Sequence, residues 1–67
     1  MKVTNLNISK FRTFIAEAGA EILPSTNHYE EIRFRSRQGL GIVYRNKQGR
    51  ITLTGAAELA YSFFVRR

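Results

Sequence analysis

The spacing of apolar residues near the amino terminus predicts a helix over residues 8–18. Apolar side chains recur there every three or four residues, which places them on one helical face. Asn7 or Ser9 can cap the start of this helix, and Gly19 can end it by taking the left-handed conformation. The residues of the predicted apolar face are Ile8, Phe11, Phe14, Ile15 and Ala18.

From Tyr29 onward the period changes to two, which is typical of strands. In "YEEIRFRSR", residues 29–37, Ile32 and Phe34 alternate with charged side chains, so one face is apolar and the other is charged. The predicted outward residues of this strand are Glu31, Arg33, Arg35 and Arg37. The next run, residues 40–45, is a second strand. Its predicted inward side chains are Leu40, Ile42 and Tyr44, and its predicted outward residues are Gly41, Val43 and Arg45.

A hairpin loop and a third strand complete the predicted sheet. "NKQG" at 46–49 supplies Asn and Gly for a tight turn, and "RITL" at 50–53 follows with Ile51 and Leu53 inward and Thr52 outward. Thr54 is then predicted to cap a second helix over residues 55–65. The predicted buried face of this helix is Leu59, Ala60, Phe63 and Phe64.

These elements predict an α+β fold in a single small basic domain, residues 1–67. The order is α-β-β-β-α, with a three-stranded antiparallel meander. We expect both helices to cover the same face of the sheet, because only one face is apolar.

Composition indicates an anionic partner. Eleven Lys and Arg against five acids give a net charge of +6, and eight of the eleven are Arg. Arg presents a planar fork that suits phosphates and guanine edges. A basic chain of this kind favours nucleic acid as the ligand.

The candidate binding residues are the cations expected on the outward sheet face and on the hairpin. On this hypothesis the uncovered face neutralises phosphates and releases counterions. The alternative is that these cations block edge-to-edge aggregation and pair with Glu30 and Glu31. The candidate nucleic-acid-binding residues are Arg33, Arg35, Arg37, Arg45, Lys47 and Arg50.

The chain lacks the residues that several other kinds of site require. It has no Cys and one His, His28, so neither a disulfide framework nor a Cys/His zinc site can form, and we expect no cofactor. No signal peptide or membrane span is visible, so we expect a soluble cytoplasmic protein with no membrane partner. A core this small leaves a homodimer or another protein partner open.

Two resemblances to known families bear on function. The segment "YEEIRFRSRQGLGIVYRNKQGRITLTGAAELAYSFF" resembles ethylene-response DNA-binding domains and integrase arm-binding domains, in which three Arg-rich strands precede an Ala-rich helix. This resemblance implies that the sheet docks in the DNA major groove. The additional amino-terminal helix and the absence of Trp depart from that pattern.

The order of elements also resembles the HicA-type messenger-RNA-cleaving toxins, whose fold is that of double-stranded-RNA-binding domains. "STNHYE" places His28 near the position of their catalytic His, with Thr26 and Asn27 where that motif has Gly and Ser. This resemblance implies ribonuclease activity at His28. The lysine-rich entry to the second helix found in double-stranded-RNA-binding domains is absent from "LTGAAELAY".

The segment "TNHYEEIRFRSRQGLGIVYRN" further resembles small phage and prophage proteins. The preferred prediction is therefore a non-enzymatic nucleic-acid-binding accessory protein of a phage or mobile element, with DNA favoured over RNA. The two alternatives are a HicA-like ribonuclease toxin and a phage inhibitor that binds a host or defence protein.

Overall fold

The computed structural model describes all residues, Met1–Arg67, as one antiparallel sheet and two helices. In chain order the elements are β1 Lys2–Val3, α1 Ile8–Glu17, β2 Glu21–Leu23, β3 Glu30–Ser36, β4 Gly39–Arg45, β5 Ile51–Gly55 and α2 Ala56–Phe64. The strand order in the sheet is β1-β5-β4-β3-β2. The predicted α+β class is confirmed. The predicted three strands are the centre of a five-stranded sheet, to which β1 and β2 add short edges.

Helix α1 begins and ends where its capping residues predict. The Asn7 side-chain oxygen accepts a hydrogen bond from the Lys10 backbone N–H at 3.0 Å, which satisfies one free donor of the first turn. Gly19 follows the last turn with a φ of 96°, a conformation that costs glycine little. Phe11 and Ile15 then enter the core from the buried face of the helix.

One core lies between the sheet and the two helices. Ile32, Val43 and Leu53 lie opposite one another across β3, β4 and β5, and each is at most 1% exposed. The prediction that both helices cover the same face is confirmed, because side chains of both helices join these residues in one cluster. The buried residues of this cluster are Leu6, Phe11, Ile15, Ile32, Phe34, Val43, Ile51, Leu53, Ala56 and Ala57.

The predicted facing of β4 is wrong, and Gly41 explains why. Gly41 lies opposite Phe34, and a Cβ on Gly41 would collide with the Phe34 ring and lie 2.6 Å from the Ala57 backbone nitrogen. Only glycine allows the Phe34 ring and the start of α2 to approach β4 this closely. Gly41 and Val43 therefore face the helices, and Leu40, Ile42 and Tyr44 face away.

A β-bulge at the start of β3 changes the faces of the neighbouring charged residues. Glu30 lies opposite Tyr44, but Ile32 lies opposite Val43, so one extra residue, Glu31, is inserted. Glu30 therefore shares the face of Tyr44. At the far end of β4, Arg45 lies opposite the buried Ile51.

This register corrects two predicted outward residues, Arg45 and Glu31. Arg45 lies on the helix-covered side, at the margin of the core, where its Nε is 3.9 Å from the Glu31 carboxylate. The Glu31 backbone carbonyl accepts a hydrogen bond from the Arg12 guanidinium of α1 at 2.8 Å. Glu31 does not face outward because it is the residue inserted at the bulge, and a shift of one position changes the face on which a strand residue lies. Arg45 lies on the helix-covered side because the facing of the whole strand β4 is the reverse of the predicted one.

The predicted N-cap of the second helix is also wrong. Strand β5 runs through Thr54 to Gly55, and α2 begins directly after it with Gly55 as the cap residue. The Thr54 hydroxyl instead donates to the Ile42 carbonyl at 3.3 Å. Neither α1 nor α2 has the length and apolar character that crossing a membrane requires.

Candidate nucleic-acid interface

The side of the sheet that neither helix covers carries three cross-strand rows of side chains. The first row joins Glu21, Arg35 and Leu40, the second joins Leu23, Arg33, Ile42 and Thr54, and the third joins Glu30, Tyr44, Thr52 and Lys2. We call these eleven residues the open face. The sequence prediction placed Arg33, Arg35 and Thr52 on this face correctly, because all three lie on strands whose inward residues were identified.

The middle of the open face is an apolar strip on β4. Leu40, Ile42 and Tyr44 alternate along the strand. Ile42 and Tyr44 have polar neighbours on both flanking strands, and Leu40 has Arg35 on β3. Ile42 is 9% exposed although no helix covers it, and Leu40 is 41% exposed. The open face therefore exposes Leu40 and part of Tyr44 between cations and hydroxyls, whereas the sequence predicted an outward face that is mainly charged.

Glu30 organises the start of β3 and engages Arg33. Its carboxylate accepts hydrogen bonds from the Thr26 backbone N–H at 2.9 Å, the Thr26 hydroxyl at 2.8 Å and the Arg33 guanidinium at 2.9 Å. The Thr26 N–H, then its hydroxyl and Arg33, stabilise the carboxylate and hold the pKa of Glu30 below its ordinary value, although burial opposes this. Sequence reasoning missed this role, whose only signal was a Thr four residues before a strand acid.

Arg33 and Arg35 consequently differ in how available their guanidinium groups are to bind an anion. The Arg33 side chain is 24% exposed and paired with Glu30 at 2.9 Å. The Arg35 side chain is 65% exposed, and its nearest carboxylate, Glu21, lies 3.9 Å away and is equally open to water. Exposed pairs of this length contribute little, so Arg35 is free to bind an anion.

The other four candidate cations lie away from the middle of this face. Arg37 is in the β3–β4 turn, where it borders a cleft on the helix side, and Arg45 is on the helix side at the other end of β4. Lys47 and Arg50 are in the β4–β5 loop. Since β4 is seven residues long, the two ends are about 20 Å apart. The six predicted residues therefore do not form one cluster.

The β4–β5 loop adjoins the open face and is held together by hydrogen bonds to one side chain. The Asn46 side-chain oxygen accepts hydrogen bonds from the backbone N–H groups of Gln48 and Arg50, both at 2.9 Å. This fixes the backbone next to the row that contains Tyr44 and Lys2. Sequence reasoning missed Lys2 because the two-residue strand β1 has no periodicity to reveal it.

His28 lies in an exposed turn before β3. Its ring stacks on that of Tyr29 with 4.2 Å between the ring centroids. No hydrogen bond or ion pair to a neighbouring side chain orients the imidazole as a general base. No group of three or more His, Asp or Glu side chains lies close enough together to hold a metal ion.

Comparison with models of protein families, with curated proteins and with solved structures finds no match for this chain. The resemblances to DNA-binding domains, to HicA-type toxins and to phage proteins therefore stay predictions. A function has to be proposed from the residues of this chain and their geometry.

Proposed function

We propose that this protein is a non-enzymatic nucleic-acid-binding protein that uses the open face and the adjoining β4–β5 loop. The observation that supports this most directly is the open face itself. It combines cations, hydroxyls and an aromatic ring on a surface that no helix covers, in a chain of net charge +6. The accessory role in a phage or mobile element belongs to the same proposal.

Electrostatics supplies the attraction. Arg35 and Lys2 lie on the open face, and Lys47 and Arg50 extend it at the loop. Each phosphate that such a cation neutralises releases condensed counterions, so affinity falls as salt rises. Arg33 also borders the strip, but part of its charge is already balanced by Glu30.

The apolar strip favours a single strand over a duplex. A duplex presents phosphates and hides the faces of its bases, whereas a single strand can lay unstacked bases on aromatic and apolar side chains. Tyr44 lies between Glu30 and Thr52, next to Ile42 in the strip. We therefore place a base over Tyr44, with phosphates reaching Arg35 and the loop cations.

Fluorescence anisotropy with a labelled oligo(dT), its oligo(U) counterpart and a DNA duplex tests this proposal. We expect the single strands to bind more tightly than the duplex at equal salt. For a single strand, the slope of log affinity against log salt should become shallower by about 0.7 for each phosphate that a variant no longer neutralises. The comparison of oligo(dT) with oligo(U) tests the preference for DNA.

A matched pair of double variants separates this surface from general charge. Arg35→Ala with Arg50→Ala removes two cations from the proposed interface. Lys10→Ala with Arg66→Ala removes two exposed cations outside it and gives the same net charge. We expect a shallower salt slope for the first pair only. Equal slopes in both pairs, or no binding of any probe at low salt, would refute the proposal.

A further inference from the structure

An apolar cleft lies on the helix side of the molecule, between α1 and α2. Its volume is about 570 Å³, and nine of its 13 lining residues are hydrophobic. Ile15, Phe34 and Ala56 form its buried floor. Small residues, among them Ala18, Gly19, Ala20 and Ala60, keep it open.

Two large apolar side chains stand on the α2 wall of this cleft and remain in water. Leu59 is 43% exposed and Phe63 is 55% exposed. They are four residues apart, so they lie on the same face of α2 one turn apart. The sequence predicts both as buried, and neither is covered by this chain. Contiguous exposed apolar surface of this kind marks an interaction site.

Aromatic contacts between α1 and α2 border the cleft. Phe11 and Phe64 contact edge to face with 5.1 Å between ring centroids, and Phe14 and Phe64 do so at 5.4 Å. The Arg67 guanidinium covers the Phe64 ring at 4.3 Å. These contacts fix the distance between α1 and α2. The cleft is therefore preformed, and binding costs little free energy for ordering it.

The charge around the cleft indicates what kind of ligand it accepts. Arg37 is the only charged residue among those that line it, and no acid is among them. The chain as a whole carries +6. We propose that this cleft binds a short amphipathic helix of a partner protein, whose large apolar side chains enter between α1 and α2 and whose Asp or Glu side chains face Arg37.

Other ligands fit these observations less well. An added strand would need a long free edge, but β1 and β2 have two and three residues. A second copy would bring another charge of +6 to a cationic margin. An acidic helix covers both side chains and complements the charge.

The test uses a labelled synthetic peptide of about three helical turns. It has Leu and Phe at positions i, i+3, i+4 and i+7 and Glu at the other positions. One control peptide replaces every Glu with Lys, and the other shuffles the apolar positions. We expect the Glu peptide to bind at least about tenfold more tightly than either control. It should move the amide NMR signals of Ala18, Leu59 and Phe63.

Two variants assign the binding to the cleft. Phe63→Ser changes an exposed residue and should keep the fold, which circular dichroism checks, but weaken binding about tenfold. Arg37→Glu should reduce the preference for the Glu peptide over the Lys peptide, because it reverses the charge at the cleft while the chain keeps a net charge of +4, that is +6 less two. Unlabelled oligo(dT) should not displace the Glu peptide, because the open face lies on the other side of the sheet.

Four results would overturn this inference. The first is no binding of the Glu peptide, and the second is equal binding by Phe63→Ser. The third is displacement by oligo(dT), which would assign the acidic peptide to the open face. The fourth is a dimer in sedimentation that Phe63→Ser dissociates, which would show that a second copy occupies the cleft.

Discussion

The two faces of the sheet are both apolar along β4, but they are buried in different ways. On the helix side Val43 is fully buried beneath the helices. On the open face Ile42 is 9% exposed, with its row neighbours Arg33 and Thr54 on the flanking strands and no helix above it. The comparison teaches that hydrophobicity alone does not decide which face of a strand the helices cover. Space for the helix decides it, and Gly41 provides that space.

The faces also differ in how they treat charge. On the open face the Glu30 carboxylate is nearly buried, with its side chain 3% exposed, but it has three hydrogen-bond donors. On the helix side the charged residues Glu31 and Arg45 stay at the margin and meet at 3.9 Å. A buried acid needs hydrogen-bond donors, and here Thr26 of the loop before β3 supplies two and Arg33 on β3 supplies the third.

The largest expected effect comes from breaking the helix side. The Phe34 ring is 1% exposed and occupies the space above Gly41. Phe34→Ala removes this ring, so we expect a loss of about 3–5 kcal/mol in the free energy of unfolding. That is comparable to the whole stability of a domain this small. Leu40→Ala on the open face is the control, and we expect it to cost less than about 1 kcal/mol. Urea unfolding followed by circular dichroism measures both. Equal costs would show that the open face is covered in solution.

The next effect tests the close approach at Gly41. Gly41→Ala forces a methyl group against the Phe34 ring and the Ala57 backbone nitrogen, so we expect a destabilisation of roughly 1–3 kcal/mol. Combining it with Phe34→Leu should cost less than the sum of the single changes, because the smaller side chain yields space. Strictly additive costs in the double-mutant cycle would contradict the proposed contact.

A smaller effect should appear as pH dependence on the open face. The folded pKa of Glu30 lies below its ordinary value near 4.5, so the unfolded chain binds this proton more readily. Its contribution to stability is complete above that ordinary value and is lost as pH falls through the lower folded pKa. Urea unfolding at about pH 7 and about pH 3 should show a weaker acid dependence for Glu30→Gln than for the unchanged protein. Glu17→Gln, which removes an exposed carboxylate, is the control, and an unaltered profile in Glu30→Gln would contradict this role.

Local signals in the sequence were sufficient for much of the fold. Helix α1 was predicted with Asn7 as one of two candidate N-caps and with its end at Gly19, because capping depends on neighbouring residues. The three central strands and the loop at Asn46 were also predicted, because alternation along a strand and turn residues are likewise visible among neighbouring residues. The side of the sheet on which both helices lie was also predicted, because Ile32 and Phe34 mark the apolar face of β3.

The remaining features depend on contacts between residues far apart in the chain. The facing of β4, and with it the side on which Arg45 lies, depends on the Phe34 ring and the start of α2, which no pattern within residues 40–45 contains. The bulge at Glu31 depends on the pairing of β3 with β4. The cleft beside Phe63 depends on the distance between two helices, and strand β1 is too short to show a period.

Strand β1 makes completion of the sheet a late event. Lys2 pairs with Thr52, and the Met1 carbonyl accepts a hydrogen bond from the Leu53 N–H at 2.7 Å, so the first residues bond with some of the last. During synthesis the amino-terminal strand must therefore wait until β5 has left the ribosome. Such pairing across the whole chain slows folding. Until β5 emerges, the backbone groups of β1 have no native partner strand and are open to pairing with other nascent chains.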